Sequence, residues 1–405
     1  MDVKLLQNAD VQGKAVLLRV DFNVPLKNGK VKDDTRIVQT LPTIEYLLEN
    51  GAKIILVSHL GRPDGKPVPE LRMAPVADYL ARLLKRPVQK MTECVGPKIQ
   101  QAVKKMQEGD MLFLENVRFY AGEEKNSVTF AKDLAKLADL YVSDSFATAH
   151  RAHASTVGVA KYLPAYAGFL MQKEIENLSA LLKNVEHPLT LITGGAKIDT
   201  KIGLLENFLD KADYFLMGGG LANTFLAAAG YDVGESLCEK DKLTTAQDIM
   251  LRAENLEKTF VLPTDVIVAD EISDSAETVD LPADDVMGDM KILDIGTRTV
   301  RKFASIIKKS KTVIWNGPVG LSECKPFSKG TVAIAKALVE TKGLKSILGG
   351  GDTIDAIKRL GFSEAHFSFV STGGGAMLEF LEGTKLPGVE ILREKKTASN
   401  KRKTR

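Results

Sequence analysis

Short apolar runs that end abruptly recur along this chain, and segments with helical spacing separate them. Within the first 160 residues the runs lie at 15–23, 53–63, 111–119 and 139–146. Apolar runs without alternation are typical of parallel strands that are buried on both faces of a sheet. Helical spacing follows at 36–51 and at 130–140. Because strands alternate with helices, we predict an α/β fold built on a doubly wound parallel sheet.

The same alternation restarts in the second half of the chain, which predicts a second domain. A long helix over 172–188 ends at a proline, and the apolar runs resume at 189. The length of 405 residues supports two domains, because one core usually stops growing at about 250 to 300 residues. We expect a first domain over 1–170 and a second over 171–378, with the helix between them.

The positive net charge of the chain comes from its C-terminal tail. Residues 393–405 carry seven Lys or Arg and one Glu, and subtracting their charge of +6 from the total of +3 leaves −3 for the rest. This balance argues against a generally basic surface of the kind that binds nucleic acid. No stretch approaches the roughly 18 uncharged residues of a membrane span, and the N-terminus lacks a signal-peptide pattern. We expect a cytoplasmic protein, a monomer, with a disordered tail and without nucleic acid or membrane as a required partner.

Polar and charged side chains follow the strands of the first domain, at the edge where such sheets bind their ligands. Several arginines around one rim suit a small substrate with phosphate and carboxylate groups, because a guanidinium binds either group through two charge-assisted hydrogen bonds. A single arginine would more often belong to a surface ion pair, so the prediction depends on the set. Its members are Asp21, Asn23, Arg36, His59, Arg62, Arg118, His150 and Arg151. Around His150 and His153 no Asp or Glu is close enough in sequence to complete a metal site.

Glycines follow the strands of the second domain instead. They lie in five loops, at 194–195, 218–220, 317–320, 349–351 and 373–375. Backbone amides at such turns can approach phosphate oxygens, and a following helix N-terminus adds a favourable dipole. Lys197 and Lys201 lie one helical turn apart beside the first loop. Asp352 and Thr353 add a carboxylate and a hydroxyl beside the fourth loop, and this combination predicts a Mg²⁺ site there.

Several common nucleotide-binding and hydrolytic motifs are absent from the sequence. Neither the P-loop pattern nor the G-x-G-x-x-G dinucleotide pattern occurs, and there is no H-E-x-x-H motif. Phosphoryl transfer between groups that are already anionic needs little proton chemistry and depends on positioning and on cations. The residues present therefore predict a phosphotransferase that pairs a small anionic substrate with a nucleotide.

Eight motifs occur in order between about residue 14 and about residue 391. They are RVDFNVP at 19–25, SHLGRP at 58–63, ENVRF at 115–119, AHRAHAST at 149–156, GGAK at 194–197, WNGP at 315–318, GGGDT at 349–353 and STGGGA at 371–376. Together they resemble the phosphoglycerate kinase family. The resemblance implies two Rossmann-like domains that face each other across a cleft, with a C-terminal segment at about 379–392 returning to the first domain. It also implies reversible, Mg²⁺-dependent transfer of the acyl phosphate of 1,3-bisphosphoglycerate to ADP, giving 3-phosphoglycerate and ATP, as two lobes close about a hinge.

The resemblance further implies roles for individual residues. For 3-phosphoglycerate it implies Asp21, Asn23, Arg36, His59, Arg62, Arg118 and Arg151. For ATP or ADP it implies Lys201, Gly219, Asn316, Glu323, Gly350, Gly351, Asp352 and Thr353, with Glu323 at the ribose and Asp352 at Mg²⁺. Around the transferred phosphoryl group it implies Arg36, Lys197 and the amides of Gly373 and Gly374.

Two alternative functions stay open at this point. One is a kinase of another small carboxylate, and the other is a non-catalytic fold whose basic tail binds a polyanion. The second alternative predicts loss of Arg36, Lys197 or Asp352, and all three are present. The sequence also departs from the family's usual pattern at a few positions. They are Ser145, Ala147, Asp199, Thr200 and Ser322.

Overall fold

The computed structural model describes residues 3–394, which form two compact units. The first unit extends to Ser179 and resumes at Lys385, and the second runs from Ala180 to Thr384. Of the tail predicted to be disordered, 393–405, residues 395–405 lie outside the described part of the chain, whereas Arg393 is ordered in a bridge with Val3. None of the helices in residues 3–394 has the length and apolarity that a membrane span requires.

The strands and helices follow the alternation expected from the sequence. The strands are β1 (Ala15–Val20), β2 (Leu26–Lys27), β3 (Lys30–Val31), β4 (Lys53–Val57), β5 (Gln89–Lys90), β6 (Met111–Phe113), β7 (Leu140–Asp144), β8 (Ala165–Ala167), β9 (Leu189–Thr193), β10 (Tyr214–Met217), β11 (Thr259–Val261), β12 (Asp265–Ala269), β13 (Val279–Pro282), β14 (Lys291–Ile295), β15 (Thr312–Asn316), β16 (Lys345–Gly349) and β17 (Phe369–Val370). The α-helices are α1 (Thr35–Glu49), α2 (Ala74–Leu84), α3 (Pro97–Lys105), α4 (Ala121–Glu124), α5 (Val128–Ala135), α6 (Phe169–Lys183), α7 (Ile202–Phe208), α8 (Gly219–Ala228), α9 (Leu243–Asn255), α10 (Thr297–Lys309), α11 (Lys329–Glu340), α12 (Gly351–Arg359), α13 (Gly375–Leu381) and α14 (Pro387–Glu390).

The core of the first unit is a parallel sheet of six strands in the order β5-β6-β4-β1-β7-β8. Its central strands are apolar on both faces, as burial under helices on both sides requires. Leu17 and Leu18, for example, are successive residues of β1 that point to opposite faces, and both are 0% exposed. The strand order reverses at β1, which has β4 on one side and β7 on the other. A crevice at the carboxyl ends of the strands is expected at such a reversal, and ligands of open α/β sheets bind there.

The second unit repeats this plan with the order β11-β10-β9-β15-β16-β17, again all parallel. Here the order reverses at β9, which has β10 and β15 as its neighbours. Trp315 of β15 is fully buried in the core of this unit. A small antiparallel sheet, in the order β13-β12-β14, is added to the plan.

The division between the units lies inside α6, so the limits expected at 170 and 379 differ from those observed. The helix expected over 172–188 is observed over Phe169–Lys183. The helix α13 still belongs to the second unit, because it packs against α7 and the carbonyl of Leu381 accepts from the side chain of Asn207. The chain joins the first unit again only at Lys385. Residues 379–384 therefore belong to the second unit.

The returning segment is tied to the first unit by backbone contacts. The amide of Lys4 donates to the carbonyl of Leu392 at 2.8 Å, and Val3 forms an antiparallel bridge with Arg393. The amide of Gly388 donates to the carbonyl of Ala149, also at 2.8 Å. Both ends of the described chain are thus part of the same unit.

Candidate active site

Four neighbouring strands of the first unit place the residues of the predicted anion site. Asp21 directly follows β1, and His59 lies two residues after β4. Arg118 lies in a 3-10 turn after β6, and Arg151 follows β7 beyond a similar turn. Because β6, β4, β1 and β7 are adjacent and parallel, the loops that carry these side chains leave the same edge of the sheet.

Hydrogen bonds connect several of these residues. Arg36, near the start of α1, donates to the Oδ2 atom of Asp21. The amide of Gly61 donates to Asn23 Oδ1 at 2.9 Å, and its carbonyl accepts from Arg118 Nη1 at 2.8 Å. The loop between His59 and Arg62 is therefore held from both sides, by the loop after β1 and by the turn after β6.

Positive charge is concentrated at this edge of the first unit. Burial, and after it the charges of Arg19, Arg118 and Arg36, hold the pKa of His59 well below its usual value of 6.5. Arg118 is also buried, whereas the side chain of Arg62 is exposed. A neutral histidine among several guanidinium groups is suited to an anionic ligand.

A cavity of about 240 Å³ lies at the carboxyl ends of the second unit's central strands. Lys201 donates to Asn316 Oδ1, and burial lowers the pKa of Lys201 to about 8 even though Asp352 lies nearby. The Nδ2 group of Asn316 is buried without a partner in the described part of the chain. A buried N–H donor costs free energy unless it is satisfied, so a ligand oxygen is a suitable partner. The residues around the cavity are Gly194, Gly195, Ala196, Lys197, Thr200, Lys201, Asn316, Gly317, Gly350, Asp352 and Thr353.

Glycine is required where the loops after β9 and β15 cross. Gly317 has a φ of +94°, and a Cβ atom there would overlap the carbonyl oxygen of Gly194. Its amide donates to Thr353 Oγ1 at 2.7 Å, which ties this crossing to the start of α12. The close approach of two backbones explains why glycines follow these strands.

A second cavity, of about 460 Å³, shares Gly195, Ala196 and Asp352 with the first. Most of its wall is apolar, and a large part comes from β12, β14, the connection after β12 and the loop after β15. The apolar residues from these segments are Val266, Ile272, Ile292, Leu293, Ile295, Pro318, Val319 and Leu321. An apolar cavity that continues into one lined by amides, lysines and a carboxylate suits a nucleoside with attached phosphates.

The structure places most of the nucleotide residues predicted from the sequence around these two cavities. Gly219 and Glu323 line the larger cavity, and Lys197, although exposed, lines the smaller one. Asp352 lines both. The residues that line neither are Gly351, Gly373 and Gly374.

Two of the departures from the family pattern, Asp199 and Thr200, make local contacts. The carboxylate of Asp199 lies 2.8 Å from the ammonium of Lys242, and Thr200 Oγ1 donates to the carbonyl of Lys197 at 3.2 Å. Ser322 is 2% exposed and does not line the larger cavity.

Four further residues belong to these sites and do not follow from the sequence patterns alone. Arg19 is buried inside β1 and contacts His59, and Asn116 accepts from the amides of Leu60 and Arg118. The other two, which line the larger cavity, are Asn223 and Asp294. The sequence pattern that indicates a role for Arg19 is a single charged residue within an otherwise apolar strand.

Within residues 3–394 no group of three or more His, Cys, Asp or Glu side chains could hold a metal ion by itself. The smaller cavity offers one carboxylate, that of Asp352, beside the hydroxyl of Thr353. Mg²⁺ is commonly bound by one or two carboxylates together with substrate phosphates, so this donor set fits a magnesium ion brought by a nucleotide.

Comparison with known proteins identifies the family. A sequence model described as phosphoglycerate kinase matches residues 6–384. The chain belongs to the phosphoglycerate kinase family. This confirms the resemblance drawn from the eight motifs, and membership makes the protein a phosphotransferase.

Two solved structures of the family have the same fold over almost the whole length. A phosphoglycerate kinase from Coxiella burnetii is 44% identical, with a TM-score of 0.86, and the match covers 96% of this chain and 98% of that one. A phosphoglycerate kinase from Pyrococcus horikoshii OT3 is 34% identical, with a TM-score of 0.80 and the same coverage. The predicted α/β fold with two parallel-sheet domains is thereby confirmed.

Proposed function

We propose that this chain catalyses the reversible transfer of the acyl phosphate of 1,3-bisphosphoglycerate to ADP, which gives 3-phosphoglycerate and ATP. The observation that carries the proposal is the anion site of the first unit, where Asp21, His59 and Arg118 follow adjacent strands in a member of this kinase family. The two connected cavities of the second unit supply the nucleotide half of the reaction.

In the first unit the guanidinium groups bind the carboxylate and phosphate of 3-phosphoglycerate. Paired N–H donors on a planar guanidinium match both groups. Asn23 and Asp21 orient the loops that carry the arginines, since each accepts a hydrogen bond from a neighbouring loop or helix. The residues assigned to this substrate are Asp21, Asn23, Arg36, His59, Arg62, Arg118 and Arg151.

In the second unit the larger cavity takes the nucleoside and the smaller one its phosphates. Glu323 binds the ribose, and Lys201 and the donor group of Asn316 bind phosphate oxygens. Magnesium, held by Asp352, would neutralise charge on those phosphates when it is bound. The remaining nucleotide residues in this proposal are Gly219, Gly350, Gly351 and Thr353.

The transferred phosphoryl group is stabilised by positive charge and by backbone amides. We assign this role to Arg36, Lys197, Gly373 and Gly374. The backbone amides are already in place when charge develops, so they lower the barrier without reorganising during the reaction. The hinge closure implied by the family stays a prediction, as do the cytoplasmic location and the monomeric state.

The test measures ADP formation from ATP and Mg²⁺ with a panel of carboxylates. We expect formation that depends on 3-phosphoglycerate and is weak with glycerate, acetate or aspartate, which lack its combination of phosphate and carboxylate. If another carboxylate supports turnover that survives Arg118→Ala or Arg151→Ala, the chain is a kinase of that compound instead. Absence of turnover with every member of the panel would leave only a binding function.

A further inference from the structure

The central strand of the first unit contains a buried charge that the proposed roles do not use. Arg19 lies in β1 between apolar residues and is 1% exposed. A buried guanidinium is costly unless its N–H groups are paired, so the partners of Arg19 indicate what its charge does.

All the contacts of Arg19 use its N–H groups as donors. Its Nε donates to Ser155 Oγ at 2.9 Å, and its Nη1 donates to the carbonyl of Val20. Its Nη2 lies 3.2 Å from the Nδ1 atom of His59, which is itself 4% exposed. A guanidinium has five donors and no acceptor, so in the last contact the histidine nitrogen must accept.

This contact decides which ring nitrogen of His59 carries the proton. Nδ1 also lies 3.7 Å from Asp21 Oδ1, but that separation is too long for a hydrogen bond. We propose that Arg19 is a positioning residue that keeps the Nδ1 atom of His59 unprotonated, so that His59 is neutral and presents its Nε2–H group as a donor to the substrate. The link to the substrate rests on the proposed function, whereas the position of the proton on the ring does not.

A second buried charge, the carboxylate of Glu123, is linked to Arg19 through Ser155. Ser155 donates its amide to Glu123 Oε2 at 2.9 Å and its hydroxyl to Glu123 Oε1 at 2.6 Å. Because the hydroxyl has one proton and gives it to the carboxylate, its oxygen is free to accept from Arg19. Glu123 is 0% exposed. Donation therefore runs outward from Arg19, to His59 on one side and through Ser155 to Glu123 on the other.

The charges around His59 favour the same state. Burial and the nearby charges of Arg19, Arg118 and Arg36 lower its pKa, and His153 adds a smaller effect of the same sign. Asp21 is the acid beside the ring, but its Oδ2 atom is already engaged by Arg36. His59 is thus expected to stay neutral across the physiological range, and a neutral imidazole has one acceptor nitrogen and one donor nitrogen.

The test is a nitrogen-15 NMR measurement of the histidine rings in the full chain without substrate. The sequence has five histidines, and the signals of His59 are assigned as those lost in His59→Gln. We expect the pattern of a single neutral form with hydrogen on Nε2, unchanged between about pH 5.5 and 8. A parent protein whose His59 carries its hydrogen on Nδ1, or titrates within this range, would overturn the proposal.

A pair of variants separates the effect of the Arg19 contact on the tautomer from the effect of the Glu123 charge. In Arg19→Met with Glu123→Gln both buried charges are removed, and His59 is expected to show hydrogen on Nδ1, facing Asp21. Glu123→Gln alone keeps the donors of Arg19 and should keep the Nε2–H pattern. If both variants show the same change, or neither shows one, Arg19 does not set the tautomer.

Kinetics connect the tautomer to the substrate. The double variant should raise KM for 3-phosphoglycerate about tenfold while KM for ATP stays within about twofold, since one hydrogen bond to a charged group is lost. An altered tautomer with unchanged KM would contradict the proposed contact with substrate but not the role of Arg19. A changed KM with an unaltered tautomer would contradict the role of Arg19.

Discussion

Two lysines of the second unit lie four residues apart, just before α7, but in different surroundings. Lys201 is half-buried and donates to Asn316, whereas Lys197 is exposed on the loop before it. An exposed lysine with no fixed partner can follow a group whose charge changes during a reaction. A half-buried lysine held by an amide is better suited to a phosphate that stays in place.

We therefore expect Lys197→Ala to lower kcat about 100-fold with a much smaller change in KM, because its charge stabilises the transition state more than the bound substrates. Steady-state assays in both directions measure this. Lys308→Ala, on the exposed side of α10, serves as the control and should leave kcat unchanged. A kcat for Lys197→Ala within a few-fold of the parent would refute this role.

Asp294 is a buried carboxyl whose ionisation should be visible in the stability of the protein. It is 2% exposed, and burial raises its pKa to about 7, although the amides of Gly330 and Ile295 donate to it. Its pKa in the unfolded chain is near 3.8, so between about pH 4 and 7 the folded state holds a proton that the unfolded state has lost. The contribution of this group to stability is therefore largest below pH 4 and is lost as the pH rises to 7.

Asp294→Asn removes this titration. The free energy of unfolding of the variant, relative to the parent, should rise between pH 4 and 7 by at most about 1.4 kcal/mol per pH unit and then become constant. Urea denaturation at several pH values measures the difference, with the exposed Asp248→Asn as control. A difference that does not change with pH would show that Asp294 is ionised in the folded protein.

At the scale of elements, the crossing of the loops after β9 and β15 depends on the absence of a side chain. Gly317 and Gly230 both have a φ of +94°, but a Cβ atom meets the carbonyl of Gly194 at the first position and nothing within 4 Å at the second. The two positions therefore separate backbone strain from steric overlap.

Gly230→Ala should cost about 1 to 2 kcal/mol of stability, the usual cost of a side chain in this region of φ. Gly317→Ala should cost about 1 to 3 kcal/mol more, because the backbone of a tightly packed crossing must move. It should also weaken ATP binding, whereas Gly230→Ala should not. Chemical denaturation and calorimetric titration with ATP provide the two measurements, and equal losses of stability would contradict the steric argument.

The parallel strands and the site residues after them can be predicted from the sequence, because an apolar run that ends in arginine or glycine marks both the strand and its functional edge. The antiparallel sheet of β12, β13 and β14 has no such mark. Half of β13 is exposed, and its pattern is that of a loop. Asp294 does not follow from the sequence for this reason, since it lies on β14 and lines the larger cavity through that sheet.

At the scale of the whole molecule, the returning segment completes the first unit. Leu386, Val389 and Leu392 are each at most 1% exposed, and burying such side chains stabilises a fold by about 1.5 to 3 kcal/mol each. The amide of Gly388 also holds the carbonyl of Ala149, two residues from Arg151. This segment therefore supports both the core and the anion site.

A chain that ends at Glu394 should keep its melting temperature and its turnover with 3-phosphoglycerate. A chain that ends at Thr384 should lose several kcal/mol of stability in the first unit and its 3-phosphoglycerate-dependent turnover. Thermal melting and the ADP assay compare the two truncations with the full chain. Equal behaviour of both truncations would show that the buried leucines and valine do not support the first unit.

The backbone bridge between Val3 and Arg393 has a consequence for the order of synthesis. Residues 180–384 are continuous, so the second unit needs no segment that is made after Thr384. Most of the first unit precedes the second unit along the chain, yet its edge contacts with Leu392 and Arg393 need residues that are made after the whole second unit. The first unit thus cannot be completed until the second unit has been synthesised.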